Sequence, residues 1–382
     1  MVAGTLAFPN NAAQPQAQMA ANRIVSVQCI PMRLPFHHWT SPPLFAGRPR
    51  DRLDSALVRV ETADGTVGWG ESYCVEPRAI VAIFETLIAP LAQGRDAGDE
   101  TLLPTLRRTL HNLGRSGPVL HAIAGLDIAL WDLRGKRAGV PVYQLLGGRQ
   151  RPRIRAYASL LQYYGDAALL DRVVTQALEE GYTEVKLHER TVSAVDAARR
   201  AAGAGVPLMV DTNCAWLPEE APAAIAGMAA AAPLWIEEPL WPPEDHDALA
   251  RLQVDSPVPL AVGENASSAF ELTRLVDREA CKYVQPSVIK LGLSEAWAVS
   301  RRCEGRATVC APQVAFFGPG FLASLHLLAA QRAEASLERL YVELAHVPYG
   351  ATVPVHAGWV DVPDAPGLGA EPEADLAAGL YR

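Results

Sequence analysis

Between Pro207 and Asn265 the chain repeats one phrase three times: PLMVDTN (207–213), PLWIEEP (233–239) and PLAVGEN (259–265). Each is a short apolar run closed by an acid, which sets Asp211, Glu237 and Glu264 at the ends of three predicted strands, 26 and 27 residues apart. That interval is one strand plus one helix with loops, the repeat of a βα-barrel. Parallel strands in such a barrel bring the side chains at their C-terminal ends to one mouth. Three carboxylates there repel one another unless a cation neutralises them. A hard divalent ion with oxygen ligands does so, and magnesium characteristically keeps positions open for a ligand. Taken singly, each acid could instead cap the helix that follows its strand; three in register point to a metal.

The same alternation of β-rich runs and helical patterns begins at Arg153. Strand ends are expected near Ser159, His188, Asp211, Glu237, Glu264, Pro286, Pro312 and Glu338, with helices between them from Ala167–Glu180 to Gly320–Arg332. Eight strands with crossover helices close most simply as an α/β fold of the (β/α)8, TIM-like type. An open doubly wound sheet is the alternative, but no GxGxxG follows any strand. Upstream, Ile24 to Leu34, Ser55 to Glu61 and Thr66 to Glu71 alternate like strands, the last two joined by the turn Ala63-Asp64-Gly65. Pro77 to Gly94, Glu100 to Leu113 and Val119 to Gly139 take helical spacing. The expected organisation is a disordered extension over 1–21, an α+β domain over 22–150, the barrel over 151–345, and a segment over 346–382 that packs back on the N-terminal domain. The run Pro35 to Arg50, holding Phe36, His37, His38 and Trp39, is expected to be a plug over the sheet or a lid over a site, with His38 and Trp39 as candidate substrate contacts.

Composition narrows the function. No apolar run approaches the roughly 20 residues of a membrane span. The net charge of −8 comes with no basic tract, which argues against nucleic acid and anionic membrane surfaces. The expected partner is a small carboxylate, held by local cations. Six scattered cysteines without a CxxC pair read as reduced thiols and a cytoplasmic address. The N-terminal residues, rich in Ala, Gln, Asn and Pro, lack the order of a signal peptide.

Gly125 to Gly148 (GLDIALWDLRGKRAGVPVYQLLGG), the strand end Lys186-Leu187-His188, the motifs VDTN, WIEEP and GEN, and the closing PGLG (366–369) together resemble the enolase superfamily, most closely its mandelate racemase subgroup. The resemblance spans nearly everything from residue 22 onward. It implies a barrel beneath an N-terminal capping domain, a Mg²⁺ bound by Asp211, Glu237 and Glu264, and a homo-oligomer. It also implies chelation of a substrate carboxylate and stabilisation of the dianion left when the α-proton departs. Asn213 would support the metal or the substrate, or be a solvated loop amide.

The acid/base positions depart from the family pattern. Where relatives usually carry Lys-x-Lys at the second strand, this chain has Lys186-x-His188. His188 is expected to transfer the proton and Lys186 to hold the substrate carboxylate. On the opposite side, where a His or a Lys stands in relatives, counting along the repeat gives Ser287 and Gln313, which take no proton near neutral pH. Lys290, three residues beyond Ser287, is expected to point away from the mouth. Glu338 matches the carboxyl group that meets the substrate carboxylate, a role for which a raised pKa is expected; a salt bridge to Arg332 or Arg339 is the alternative.

One equipped side suits elimination better than 1,1-proton transfer. The expected activity is that of a lyase, a Mg²⁺-dependent dehydratase of aldonates or aldarates. Two alternatives stand beside it: a racemase or epimerase that borrows His37 or His38 as its second acid, and a metal-binding barrel without proton abstraction.

Overall fold

A computed structural model of the chain describes residues 20–45, 47–346, 349 and 354–373, so nearly all of the expected 1–21 extension lies outside the described residues. The N-terminal part lays down β1 (Ile24–His37), a short hairpin of β2 (Leu44–Phe45) and β3 (Arg48–Pro49), then β4 (Arg52–Thr62) and β5 (Val67–Tyr73). β4 pairs antiparallel with both β1 and β5. The turn between β4 and β5 is fixed by Asp64, whose carboxylate accepts from the Thr66 amide at 3.0 Å and the Thr62 hydroxyl at 2.8 Å.

Against this sheet lies the helix Pro118–Ala138, apolar nearly all round and therefore buried on nearly all sides. Close approach is possible because glycines meet across the contact. A Cβ on Gly70 would fall 1.9 Å from the Gly125 carbonyl oxygen, and one on Gly125 would fall 2.1 Å from Ser72 Oγ. Two buried aspartates of the helix tie separate parts of the chain together. Asp132 accepts from the Trp69 amide (2.8 Å) and the Leu368 amide (2.7 Å), and pairs with Lys136. Asp127 accepts from the amide and hydroxyl of Ser294 at 2.7 and 2.5 Å.

Eight parallel strands then follow in chain order: β6 (Arg153–Ser159), β7 (Val185–Leu187), β8 (Leu208–Asp211), β9 (Trp235–Glu237), β10 (Leu260–Val262), β11 (Tyr283–Val284), β12 (Val309–Cys310) and β13 (Leu337–Leu340). They form a (β/α)8 barrel with the N-terminal domain as its cap, the architecture expected from the repeat. β12 and β13 stand at the two ends of the hydrogen-bonded run, and a side chain crosses between them: Glu338 Oε2 accepts from the Val314 amide at 2.7 Å. Tyr157, Met209, Trp235 and Ala261 cluster inside. The first three lie two residues before Ser159, Asp211 and Glu237, so strand alternation turns those three to the same interior. β10, β11 and β12 stop short of the expected ends, because the chain leaves the ladder early; Gly263, for example, takes φ +123.

Beyond the barrel, β14 (Glu343–Leu344) pairs with β1, and β15 (Trp359–Asp361) pairs antiparallel with β6. Farther on, the Gly367 carbonyl accepts from the Val142 amide. The described part of the C-terminal segment thus touches both the barrel and the N-terminal domain. No helix among the described residues is long and apolar enough to cross a membrane.

Cap and barrel also meet at a buried acid. Glu71 of β5 accepts from Ser55 Oγ at 2.7 Å and from the Gly320 amide, at the start of the helix Pro319–Ala330, at 3.0 Å. Gly318 and Gly320 make room for it, since a Cβ on Gly318 would lie 2.6 Å from its carboxylate. Burial pushes the Glu71 carboxyl up to about 7, against the pull of Ser55 and the Gly320 and Gly318 amides. The folded protein therefore holds a proton that the unfolded chain, with its Glu near 4.5, releases first. This stability is present below pH 4.5 and is lost as pH rises through 7, by an amount on the order of 3 kcal/mol. Replacing Glu71 with Gln removes the titration and keeps an acceptor for Gly320. Urea unfolding across pH 4.5–8 is expected to show native stability falling relative to Glu71→Gln; parallel curves would disprove the shift.

Candidate metal centre and active site

Asp211, Glu237 and Glu264 converge at the C-terminal mouth of the barrel, each offering a carboxylate oxygen within 4.8 Å of the others. Each is set by its local chain. Asp211 closes β8, and its Oδ1 accepts from the Asn213 backbone amide at 2.9 Å and from the Asn213 side-chain amide. Glu237 closes β9 and accepts from Trp235 Nε1 at 3.0 Å. Glu264 follows Gly263, where a side chain would be strained at φ +123 and would fall 2.6 Å from Leu272 Cδ2.

Lys186 of β7 stands among these acids, fully buried. Its ammonium lies 2.7 Å from Glu338 Oε1, 2.9 Å from Glu237 Oε1 and 3.4 Å from Asp211 Oδ2. Burial works against the charge, but Glu237, Glu338, Tyr157 and Asp211 outweigh it and hold the lysine well above its usual range. It is a fixed cation. Burial also drives Glu237 well above the carboxylate range; Lys186 opposes this, while Asp211, Glu338 and Glu264 add to it. For Asp211 burial acts upward too, but His188 and Lys186 prevail and hold it below the usual range.

His188, the residue after β7, reaches the Asp211 end of the triad. Nδ1 lies 2.5 Å from the Leu160 carbonyl oxygen, which can only accept, so Nδ1 carries the hydrogen. Nε2 is then the nitrogen turned to the acid cluster, 3.2 Å from Asp211 Oδ2.

The remaining expected site residues are placed as follows. Glu338 is buried and accepts from Ser159 Oγ (2.7 Å), the Val314 amide and Lys186. The raised pKa expected for it is not found: burial acts upward, but Lys186 with the Val314 and Ser159 donors brings it below the usual range. Asn213 is not on an extended strand, since φ is +47, and its amide is turned onto Asp211. Ser287 and Gln313 are buried and bridge β11 to β12 just past their ends. Lys290 lies on the short helix Val288–Leu291, not on a strand, and its Nζ reaches the Glu264 carbonyl at 2.9 Å. His38 is buried with its ring stacked on Tyr163 at 4.7 Å, and burial pushes its imidazole down to about 4. Trp39 stacks on Tyr341 at 5.0 Å. The aromatic loop thus covers the barrel mouth beside β6 and β13.

Two residues near the centre escaped the sequence reading. Glu238 is buried behind the triad, accepts from the Gly263 amide at 2.8 Å, and is pushed up to about 7 by burial, with Glu264 adding to the effect. The doubled acid of WIEEP was its signal, because alternation lets only one of the pair face the mouth. Arg50, beyond the β2–β3 hairpin, had no signal beyond ending the expected lid.

The donor set fits a hard ion. It is all oxygen, Asp211 and Glu237 are buried and Glu264 half-buried, and Mg²⁺ commonly takes carboxylates with water and ligand oxygens completing its shell. Asp211, Glu237 and Glu264 would hold it.

Comparison with known proteins agrees with this centre. Residues 35–147 match the mandelate racemase / muconate lactonizing enzyme, N-terminal domain family, and residues 169–376 match the enolase C-terminal domain-like family. The chain belongs to the enolase superfamily. Within that superfamily, it is 31% identical over 363 residues to the D-galactarolactone cycloisomerase of Agrobacterium fabrum, covering 89% of this chain and 94% of the relative. It is likewise 31% identical over 343 residues to the D-galactonate dehydratase of Ralstonia nicotianae, covering 82% and 88%. A crystal structure of a racemase from Streptomyces coelicolor with bound magnesium superposes with a TM-score of 0.84 at 25% identity, over 93% of this chain and 99% of that one.

Removing one acid tests the superfamily centre. Loss of a residue that only orients a metal ligand lowers affinity roughly 10–100-fold. Trp235→Phe, which deletes the donor to Glu237, is therefore expected to weaken Mg²⁺ in calorimetry by about tenfold, and Glu237→Gln by about a hundredfold or more. Native affinity in Glu237→Gln would take that residue out of the ligand set.

Proposed function

We propose that this chain is a Mg²⁺-dependent enzyme that removes the α-proton of a sugar acid with His188 and completes a β-elimination, most simply a dehydration of an aldonate or aldarate. The observation that carries the reading is the division of labour at β7. Lys186 is held as a cation by three carboxylates, whereas His188 keeps Nε2 for proton exchange at the edge of the same acid cluster.

The chemistry Mg²⁺ supplies when bound is Lewis-acid polarisation of the substrate carboxylate. The chain's own groups do the rest. Lys186 adds a permanent positive charge beside that carboxylate, and Glu338, braced by Ser159 and Val314, keeps the ammonium in place. His188 Nε2 takes the α-proton, and the C–H electron pair moves into the carboxylate as an enolate. Asp211 steadies the imidazolium that results. As the electrons return to form the Cα–Cβ double bond, the β-carbon–oxygen bond breaks, and the departing hydroxide recovers the proton from His188 to leave as water. The enol product then becomes a 2-keto acid.

Racemisation needs a second acid/base across the planar intermediate. Ser287 and Gln313 lie just past the ends of β11 and β12, across the barrel from β7, and neither exchanges protons near neutral pH. Relatives named for dehydration and for cycloisomerisation of sugar acid derivatives support a site of this kind.

Acid sugars incubated with the enzyme and Mg²⁺ in D₂O are expected to yield 2-keto acids. α-Deuteration without net product would favour racemisation, and neither outcome across a broad set would leave a metal-binding barrel. His188→Ala is expected to lower turnover by about 10²–10⁴-fold while Mg²⁺ affinity stays near native. Unchanged turnover would remove His188 from the reaction.

A further inference from the structure

Of the three metal acids, Glu264 has the least support from its own strand. Asp211 and Glu237 are the last residues of β8 and β9 and face each other in the ladder. β10, by contrast, stops at Val262, and Glu264 comes two residues later. Something other than the sheet must set where its carboxylate stands.

Two side chains hold the chain on either side of Glu264. Lys290 Nζ donates to the Glu264 carbonyl at 2.9 Å. On the other side, the Gly263 amide donates to Glu238 Oε1 at 2.8 Å. The Gly263 turn is packed as well as bonded, since a Cβ there would fall 2.6 Å from Leu272 Cδ2 and 3.2 Å from the Gln285 amide nitrogen.

Glu238 is itself anchored. It is buried, with φ at +43, and its amide donates to the Ala261 carbonyl at 2.9 Å. Its carbonyl accepts from the Cys214 amide at 2.7 Å and from the Thr212 hydroxyl at 3.0 Å. Its Oε2 accepts from the Cys214 thiol at 3.8 Å, and Cys214 follows Asn213, whose two amide groups hold Asp211. One side chain therefore spans from the turn that carries Glu264 to the loop beside Asp211, and Glu237 is its neighbour in the chain.

The spacing of the three carboxylates decides which ion they suit. Mg²⁺ demands a near-ideal octahedron with oxygens at about 2.0–2.1 Å, whereas Ca²⁺ accepts more oxygens at about 2.3–2.6 Å in flexible arrangements. A triad whose members cannot drift apart favours the smaller ion. Loosening one member costs that preference before it costs metal binding altogether.

We infer that Glu238 is a positioning residue that gives the centre a preference for Mg²⁺ over Ca²⁺, by bracing the Gly263 amide and, through it, the Glu264 carboxylate. Its contribution is the reach of the side chain and not its charge. The inference rests on Asp211, Glu237 and Glu264 being the metal ligands.

Calorimetry of the full-length chain, stripped with a chelator and titrated with Mg²⁺ or with Ca²⁺, separates reach from charge. Glu238→Asp keeps the charge but is one carbon too short for the Gly263 amide. Its Mg²⁺ to Ca²⁺ affinity ratio is expected to fall about tenfold or more, chiefly through Mg²⁺. Glu238→Gln drops the charge but keeps the length and an oxygen for Gly263, and its ratio is expected to stay near native. Glu238→Met, which fills the same space without an acceptor, is expected to match Glu238→Asp and replaces it should the shorter side chain fail to fold. A residue that only supports the fold would lower both affinities alike, so an unchanged ratio in Glu238→Asp or Glu238→Met would overturn the inference. A fall in Glu238→Gln as large as in Glu238→Asp would overturn it too. The ligand assignment fails separately: Mg²⁺ bound as tightly by Glu237→Gln as by the native chain would remove the centre and the brace together. Mg²⁺ binding lost in Glu237→Gln, with native ratios in every Glu238 variant, would remove the brace alone.

Discussion

Asp211, Glu237, Glu264 and Glu338 share one mouth with the buried ammonium of Lys186, while the ammonium of Lys290 is spent on the Glu264 carbonyl. That imbalance governs the centre. Lys186 lies within 3.4 Å of Asp211, Glu237 and Glu338, yet it is one cation shared among three acids, with Glu264 beside them. Burial magnifies every uncompensated charge, because water no longer screens it. Burial and the neighbouring acids prevail at Glu237 and drive it up, whereas His188 and Lys186 prevail at Asp211, and Lys186 with the Val314 and Ser159 donors at Glu338, and hold those two down. A divalent ion with oxygen ligands relieves the imbalance, and the barrel is built to tolerate that requirement: Asp211 and Glu237 end strands above the apolar cluster of Met209 and Trp235, and Glu264 follows the close-packed turn at Gly263.

The sequence revealed this centre because it is written locally. An apolar run of strand length, ended by an acid and repeated at the βα interval, states both the position and the direction of a side chain, and the acids of β8 and β9 and the Glu264 that follows β10 obey it. Lys186 and His188 were legible for the same reason, since two residues' separation on a strand means a shared face. Lys290 was misjudged because alternation was extended past the end of β11 into what is a turn of helix. The raised pKa expected of Glu338 was wrong because it considered the substrate and not the neighbouring lysine, whose reach across the barrel no spacing encodes.

What stayed hidden depends on contacts between distant parts of the chain. Asp127 and Asp132 sit within a motif that marks the family, but their work, holding Ser294, Trp69 and Leu368, joins residues more than 60 positions apart. Glu71 gave no sign of meeting the amide of Gly320. Arg50 differs from its neighbours in the aromatic loop only once the fold sets it beside Tyr73 at the cavity between cap and barrel.

The two domains consequently contribute different kinds of constraint. Barrel strand ends are held in register by ladders and by the cluster beneath them, so the spacing of the acids and of Lys186 is nearly fixed. The cap meets the mouth through a loop anchored by ring stacking of His38 on Tyr163 and of Trp39 on Tyr341. Such contacts are individually weak and can be re-formed with other side chains without disturbing the metal acids. Substitutions in the barrel mouth should therefore disturb the metal acids directly, whereas those in the loop and hairpin should leave the spacing of those acids intact.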